Sequence, residues 1–186
     1  MNRRGSILLA ALCLCLSCTT GTDGEEGVPH DQSSVLGTLL LFEDVWNSGD
    51  VDTYESLLDE DFLFYFDPMD VEYGLPESWD YEAEIQAFTN LFEAVGDENV
   101  DVTLDLTEVT EPEEGVDTYR VEEIPYEVRV LVHTEYGDIL YPAYADLDVE
   151  LTKVDDGWVI TRWWDRVSYR LLAMEVTWGE IKAVFY

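Results

Sequence analysis

Apolar residues recur with helical spacing along the first half of the chain and with strand spacing along the second. Val35, Leu39, Phe42 and Trp46 stand four, three and four residues apart, and Leu36 and Leu40 widen the stripe. That spacing predicts an amphipathic helix. Asn47-Ser48-Gly49-Asp50 ends it, since glycine tolerates a left-handed C-cap and Asp50 is placed to cap a second helix. Tyr54, Leu57 and Leu58 give that second, short helix its buried side. Phe62, Phe64 and Phe66 then alternate with Leu63, Tyr65 and Asp67, a strand that Asp67-Pro68-Met69-Asp70 breaks. A third helix is predicted over 81–95, with Ile85, Phe88, Phe92 and Val95 on one face and Ala87 and Leu91 extending it. Ser78 or Asp80 can cap its start, and Glu82 and Glu84 sit in the first turn, where the helix dipole favours acids.

From Asn99 to about Tyr169 the period changes to two. Val100, Val102, Leu104 and Leu106 alternate with polar residues. After a glutamate-rich turn around Gly115, Ile124, Tyr126, Val128, Val130 and Val132 share one strand face. Glu127, Arg129, Leu131 and His133 share the other. Ala145, Leu147, Val149 and Leu151 form a half-solvated strand, Asp155-Asp156-Gly157 a hairpin turn, and Trp158 to Val167 a last strand with Trp163 and Trp164 on opposite sides. Beyond it, Met174, Trp178 and Ile181 fit a helix face that Thr177-Trp178-Gly179 interrupts, and 182–186 fits a short strand. The pattern predicts an α+β domain in which three N-terminal helices pack in a strongly curved antiparallel sheet.

The N-terminus changes the picture of where the domain resides. Arg3 and Arg4 precede an apolar run from Ile7 to Leu16, too short to span a bilayer and arranged as an export signal. Cys15-Leu16-Ser17-Cys18 resembles the lipobox of bacterial lipoproteins, with Cys15 standing where leucine is usual. The resemblance implies cleavage after residue 17, acylation of Cys18 and anchoring in the envelope bilayer. Thr19 after the cysteine fits release to the outer membrane of a Gram-negative cell. Residues 18–32 are acidic and glycine-rich and read as a flexible tether, with His30 a solvated residue within it, leaving 33–186 as one domain. Cys18 is then the only mature cysteine, which excludes an internal disulfide framework.

Charge narrows the partners. The chain carries 42 acidic against nine basic residues, a formal −33, and losing Arg3 and Arg4 with the signal takes it to −35. Repulsion disfavours nucleic acid and acidic lipid. No acidic run has calcium-loop placement, and two distant histidines give no zinc site, so neither metal nor cofactor is expected.

Val45-Trp46-Asn47-Ser48-Gly49-Asp50-Val51-Asp52-Thr53-Tyr54, running on to Asp61-Phe62, resembles the opening of the nuclear-transport-factor-2-like superfamily, which includes ketosteroid-isomerase-like and polyketide-cyclase-like proteins. Asp156 to Trp163 resembles its closing hairpin and strand. The resemblance covers roughly residues 33–170. It implies a cone of helices and bent sheet with a pocket at the wide end, and it says little of function, because the fold hosts enzymes and binding modules alike.

An isomerase of this kind needs a pocket base and an oxyanion donor. The candidate bases are Asp61 and Asp67, flanking the first strand, and His133. None has an evident tyrosine partner in the first helix, and turn or surface roles suit all three. Tyr65, Trp79, Tyr126, Tyr144 and Trp164 are candidates for the floor of an apolar pocket, or for core. Arg162 and Arg166 share the Trp164 face and suit an anionic ligand or a pairing with local acids. These residues fit three readings: a non-enzymatic envelope lipoprotein domain that binds a small apolar or amphipathic ligand or a protein partner; a small isomerase, dehydratase or cyclase; and a purely structural module. A homodimer through the sheet is compatible with each.

Overall fold

The computed structural model describes residues 28–167 and 177–186. The signal segment and Cys18, with most of the tether, lie outside the described residues, as does the expected helix position of Met174.

Helix α1, Val35–Ser48, starts where the Ser34 side chain accepts from Gly37 N and stops at Gly49, whose φ of 66° lets its N–H reach the Val45 carbonyl. Asp50 caps α2, Val51–Leu57, through Thr53 N. Strand β1, Leu58–Tyr65, comes directly after it. The chain break expected at Asp67–Asp70 is itself a short helix, α3, Pro68–Glu72: Asp67 accepts from Met69 N, and Pro68 occupies a first-turn position that needs no N–H. After β2, Ser78–Asp80, helix α4 runs Tyr81–Val95 with Asp80 as its cap. Strands β3, Val100–Leu104, β4, Thr118–Thr134, β5, Gly137–Val154, and β6, Gly157–Val167, then form a meander.

Helix α5, Trp178–Phe185, closes the chain. Thr177-Trp178-Gly179 therefore starts a helix, where an interruption was expected. Thr177 accepts from Glu180 N, and the Glu180 side chain returns to Thr177 N, a capping box.

The six strands form one curved, open sheet in the order β2-β1-β6-β5-β4-β3. Neighbours are antiparallel with one exception. β1 and β6 run parallel, opposing Tyr65 to Trp164, which corrects the expectation of an antiparallel sheet throughout. Helices and four strands intervene between them, so no hairpin dictates their direction. The edge at β3 is covered from α1: Asn47 donates to Val102 O and accepts from Val102 N, and Glu43 accepts from Leu104 N.

The alternation read along the strands decides which face is covered. Val100, Val102, Leu104, Ile124, Tyr126, Val128, Val130, Ala145, Leu147, Val149 and Leu151 all point inward and are buried. Trp163 is fully buried, while Trp164 on the other face is half-buried. At the centre Trp46 meets Phe88, Trp178 and Tyr54 at ring-centroid distances of 4.9, 4.6 and 5.6 Å. Burial of such rings is the main stabilising term of the domain. Within the expected tether, Gln32 bridges Ser56 O and Trp158 O, Trp158 N donates to Gln32 O, and His30 pairs with Asp44 at 2.5 Å.

Gly49→Ala tests the turn between α1 and α2. A Cβ there would stand 2.7 Å from Phe92 Cδ1 on a left-handed backbone. Urea unfolding should show a loss of about 1–3 kcal/mol from strain and overpacking together.

Candidate functional site

Around α5 the described residues include two buried polar groups and an open cleft beside them. The first group centres on Glu84, which lies on the buried face of α4 with Ala87, Phe88 and Leu91 and is fully buried. Its Oε1 accepts from Tyr54 OH at 2.6 Å and its Oε2 from Trp79 Nε1 at 2.8 Å. Lys182 Nζ of α5 donates to both oxygens, at 3.0 and 2.8 Å, and is itself fully buried. The same ammonium lies 3.4 Å from the Phe64 ring centroid and 4.0 Å from that of Trp163. Burial pulls the Lys182 pKa below its ordinary value, and the Glu84 carboxylate opposes that shift.

The second group receives the start of α5. Asp165, at an inward position of β6 after Trp163, accepts from Tyr126 OH and from Gly179 N, both at 2.6 Å. Tyr126 OH in turn accepts from Trp178 N at 3.0 Å, and Thr177 Oγ1 donates to Asp70 at 2.7 Å. These bonds satisfy N–H groups that a helix start leaves without intrahelical partners. Gly179 is needed for the approach, because a Cβ would meet Phe66 Cδ1 at 2.8 Å. Burial raises the Asp165 carboxyl to about 6, against the opposing Tyr126 and Gly179 hydrogen bonds. Burial also raises Asp70 to about 7, opposed by Thr177 and reinforced by the nearby acids Glu180, Asp165 and Asp67. A raised carboxyl beside a tyrosine is the kind of pair that proton-transfer chemistry uses. Here both Asp165 oxygens and the Tyr126 hydroxyl are committed to holding α5.

The cleft opens beside this second group. It has a volume of about 510 Å³ and is walled by Tyr65, Phe66, Pro68, Val71 and Trp164, with Asp67, Glu77, Asp165 and Arg166 as its polar lining. Tyr65 and Trp164 stack with centroids 5.3 Å apart and planes 7° from parallel. The Arg120 guanidinium lies 4.1 Å from the Trp164 ring centroid. Arg120 and Arg166 both bind the buried Asp148 carboxylate, at 2.8 and 2.5 Å, and Glu123 N adds a third bond at 2.9 Å. That buried carboxylate fixes the arginines and, through Arg120, the aromatic plate.

The structure thus brings Tyr65, Asp67, Trp164 and Arg166 together at the cleft. Trp79 and Tyr126 are in the interior, each bound to a buried acid. Tyr144 is opposite Glu127 on the outer face. Arg162 donates to the Asp61 and Thr161 carbonyls, at 3.1 and 2.6 Å, and braces β1 against β6. Asp61 is exposed, with its N–H donating to Asp59 Oδ1. His133 is exposed and pairs with Asp138 at 2.7 Å, in the β4–β5 hairpin. Sequence reading missed Glu84, Asp165, Asp70 and Lys182. Glu84 and Asp165 had a signal: each is an acid in register with the apolar face of its element. Among the described residues no cluster of three metal-ligating side chains occurs.

No protein-family model matches the chain, and no curated protein matches it in sequence. Solved structures do resemble it in fold. A conserved protein from Planctomyces limnophilus superposes with a TM-score of 0.55 at 13% identity, covering 72% of this chain and 92% of that one. An NTF2-like protein with a cystatin-like fold from Novosphingobium aromaticivorans gives 0.51 at 16% identity, covering 77% and 86%. A ketosteroid isomerase-like protein from Erwinia carotovora atroseptica gives 0.50 at 15%, covering 73% and 94%. At these identities the likeness establishes the NTF2-like cone fold and nothing finer.

The two raised carboxyls fix a direction of pH dependence. Each has a folded pKa above its unfolded value near 3.8, so the stability it contributes is full below that value and is lost as pH rises through about 6 and about 7. The melting temperature should therefore fall between pH 5 and pH 8. Asp70→Asn should be close to neutral below about pH 4 and increasingly stabilising as pH rises, by on the order of 2 kcal/mol or more at pH 8. Thermal unfolding across that range checks both.

Proposed function

We propose that this chain is a non-enzymatic binding module, held at the bacterial envelope by an acylated Cys18, that takes a small apolar or amphipathic ligand in the cleft at Tyr65 and Trp164. One observation carries this reading. The interior of the cone is occupied by the side chains of the chain's own α5, whereas the cleft is open, of ligand size and floored by a preformed aromatic stack. Concave, largely apolar sites with a few polar groups are the usual form of small-molecule pockets. Asp148 holds the flanking arginines in place before any ligand arrives, which lowers the ordering cost of binding. The strong negative charge keeps the domain solvated and repels acidic polymers.

A second reading, a small isomerase or related enzyme of the kind one structural neighbour's name suggests, is favoured by the raised Asp165 carboxyl at the cleft wall beside Tyr126. The committed oxygens of Asp165 weigh against it. The two readings differ in the fate of the bound molecule: under the first it is released unchanged, and under the second it is converted in a reaction that Asp165→Asn abolishes.

Native mass spectrometry of the full chain purified gently from its own host should find a small molecule that is lost on denaturation. Trp164→Ala should lower its occupancy about tenfold or more, the scale of one lost aromatic contact. Full retention in both Trp164→Ala and Tyr65→Ala would sink the cleft reading. Metabolic labelling with a fatty acid should mark the wild-type chain and not Cys18→Ser.

A further inference from the structure

Lys182 and Glu84 form an ion pair with no exposed surface, in a place where an apolar pair would satisfy packing at less cost. The surroundings of the ammonium are specific to a cation. The Phe64 and Trp163 ring centroids lie 3.4 and 4.0 Å from Nζ, and that of Trp79 lies 5.4 Å away. Glu84 supplies the counter-charge, steadied by Tyr54 OH and Trp79 Nε1. Aromatic faces around an acid are the chemistry by which alkylammonium ions are recognised. Among the described residues, the rings and hydrogen-bonding groups of this cage come from α2, β1, β2, α4 and β6. Helix α5 contributes only the cation.

Helix α5 is also the last element of the chain and only eight residues long. A helix of that length is unstable in water by itself, so its structure depends on docking. Its hold on the body is modular: the Thr177 hydroxyl on Asp70, the Asp165 and Tyr126 bonds, Trp178 in the aromatic centre, and Asn90 Nδ2 donating to Phe185 O.

We propose that the interior of the cone is a binding site for an organic ammonium ion, and that the C-terminal helix occupies this site in cis with Lys182 as the head group. An external cation with an apolar body competes with a tethered one, whose effective concentration sets the threshold for entry. This site differs from the cleft at Trp164, but the two adjoin, since Asp165 and Phe66 line the cleft and also contact Gly179 of α5.

The sequence provides a clean readout. Lys153 and Lys182 are the only lysines, and Lys153 is exposed near a hairpin turn whereas Lys182 is buried. A lysine-specific endoprotease applied to the full chain can cut after Lys182 only when α5 leaves the cage, which releases residues 183–186 as a mass-resolved tetrapeptide. Benzyltrimethylammonium should accelerate that cut saturably, by about fivefold or more, with cleavage after Lys153 unchanged. Benzyl alcohol and sodium chloride at matched concentration should not. Lys182→Met keeps the volume and removes the in-cis charge, and by calorimetry it should bind benzyltrimethylammonium about tenfold more tightly than wild type. If that variant does not fold, the wild-type protease titration decides the matter alone. Acceleration that is absent, or equal with the neutral alcohol or with salt, overturns the proposal.

Discussion

The ammonium of Lys182 lies in the aromatic interior of the cone, and its burial constrains much of what surrounds it. A lone charge in such a place is prohibitively costly, so Glu84 must oppose it, and Glu84 in turn must have its remaining acceptor capacity met. Tyr54 and Trp79 meet it, which ties α2 and β2 to α4. Phe64 and Trp163 pack their ring faces on the same cation and tie in β1 and β6. One interaction from α5 thereby ties together five earlier elements.

The same logic explains why the wide end holds so much polarity without being an open reactive pocket. Helix α5 enters with its N-terminal N–H groups pointing into the domain, and a buried helix start must have acceptors. Asp165 and Tyr126 provide them, while Asp70 holds the Thr177 hydroxyl. The raised pKa values of Asp70 and Asp165 are the cost of placing carboxyls where the helix needs them. In a cone left open, similar groups would face a ligand. Here they face the chain itself.

With the interior occupied, the outward side of the sheet becomes the accessible surface. Parallel pairing of β1 with β6 sets Tyr65 beside Trp164, and the adjoining strands supply Asp148 and Arg120. A buried carboxylate between two arginines is unusual on a surface otherwise rich in solvated acids. It makes the aromatic stack rigid and gives the cleft beside it a defined shape.

Much of the fold was legible in the residues. The shift from a period near 3.6 to a period of two, the caps at Gly49, Asp50 and Asp80, and the inward residues of β3, β4 and β5 all arise from local geometry and solvation, which act over a few positions. Of the site, only Tyr65, Asp67, Trp164 and Arg166 were legible as candidates that the fold brings together. The parallel pairing, the α3 turn and the start of α5 were misread: capping chemistry at Asp67 and Thr177 resembles a break when the helix beyond it is short. Glu84, Asp165 and Lys182 were passed over because an acid in a first turn, a carboxylate in a strand and a terminal lysine are each ordinarily solvated. The chain by itself determined which residues would be inside a sheet-and-helix cone. Tertiary structure alone decided that a lysine from its last helix would fill that cone, because the energy of a buried charge depends on partners about a hundred residues away in sequence.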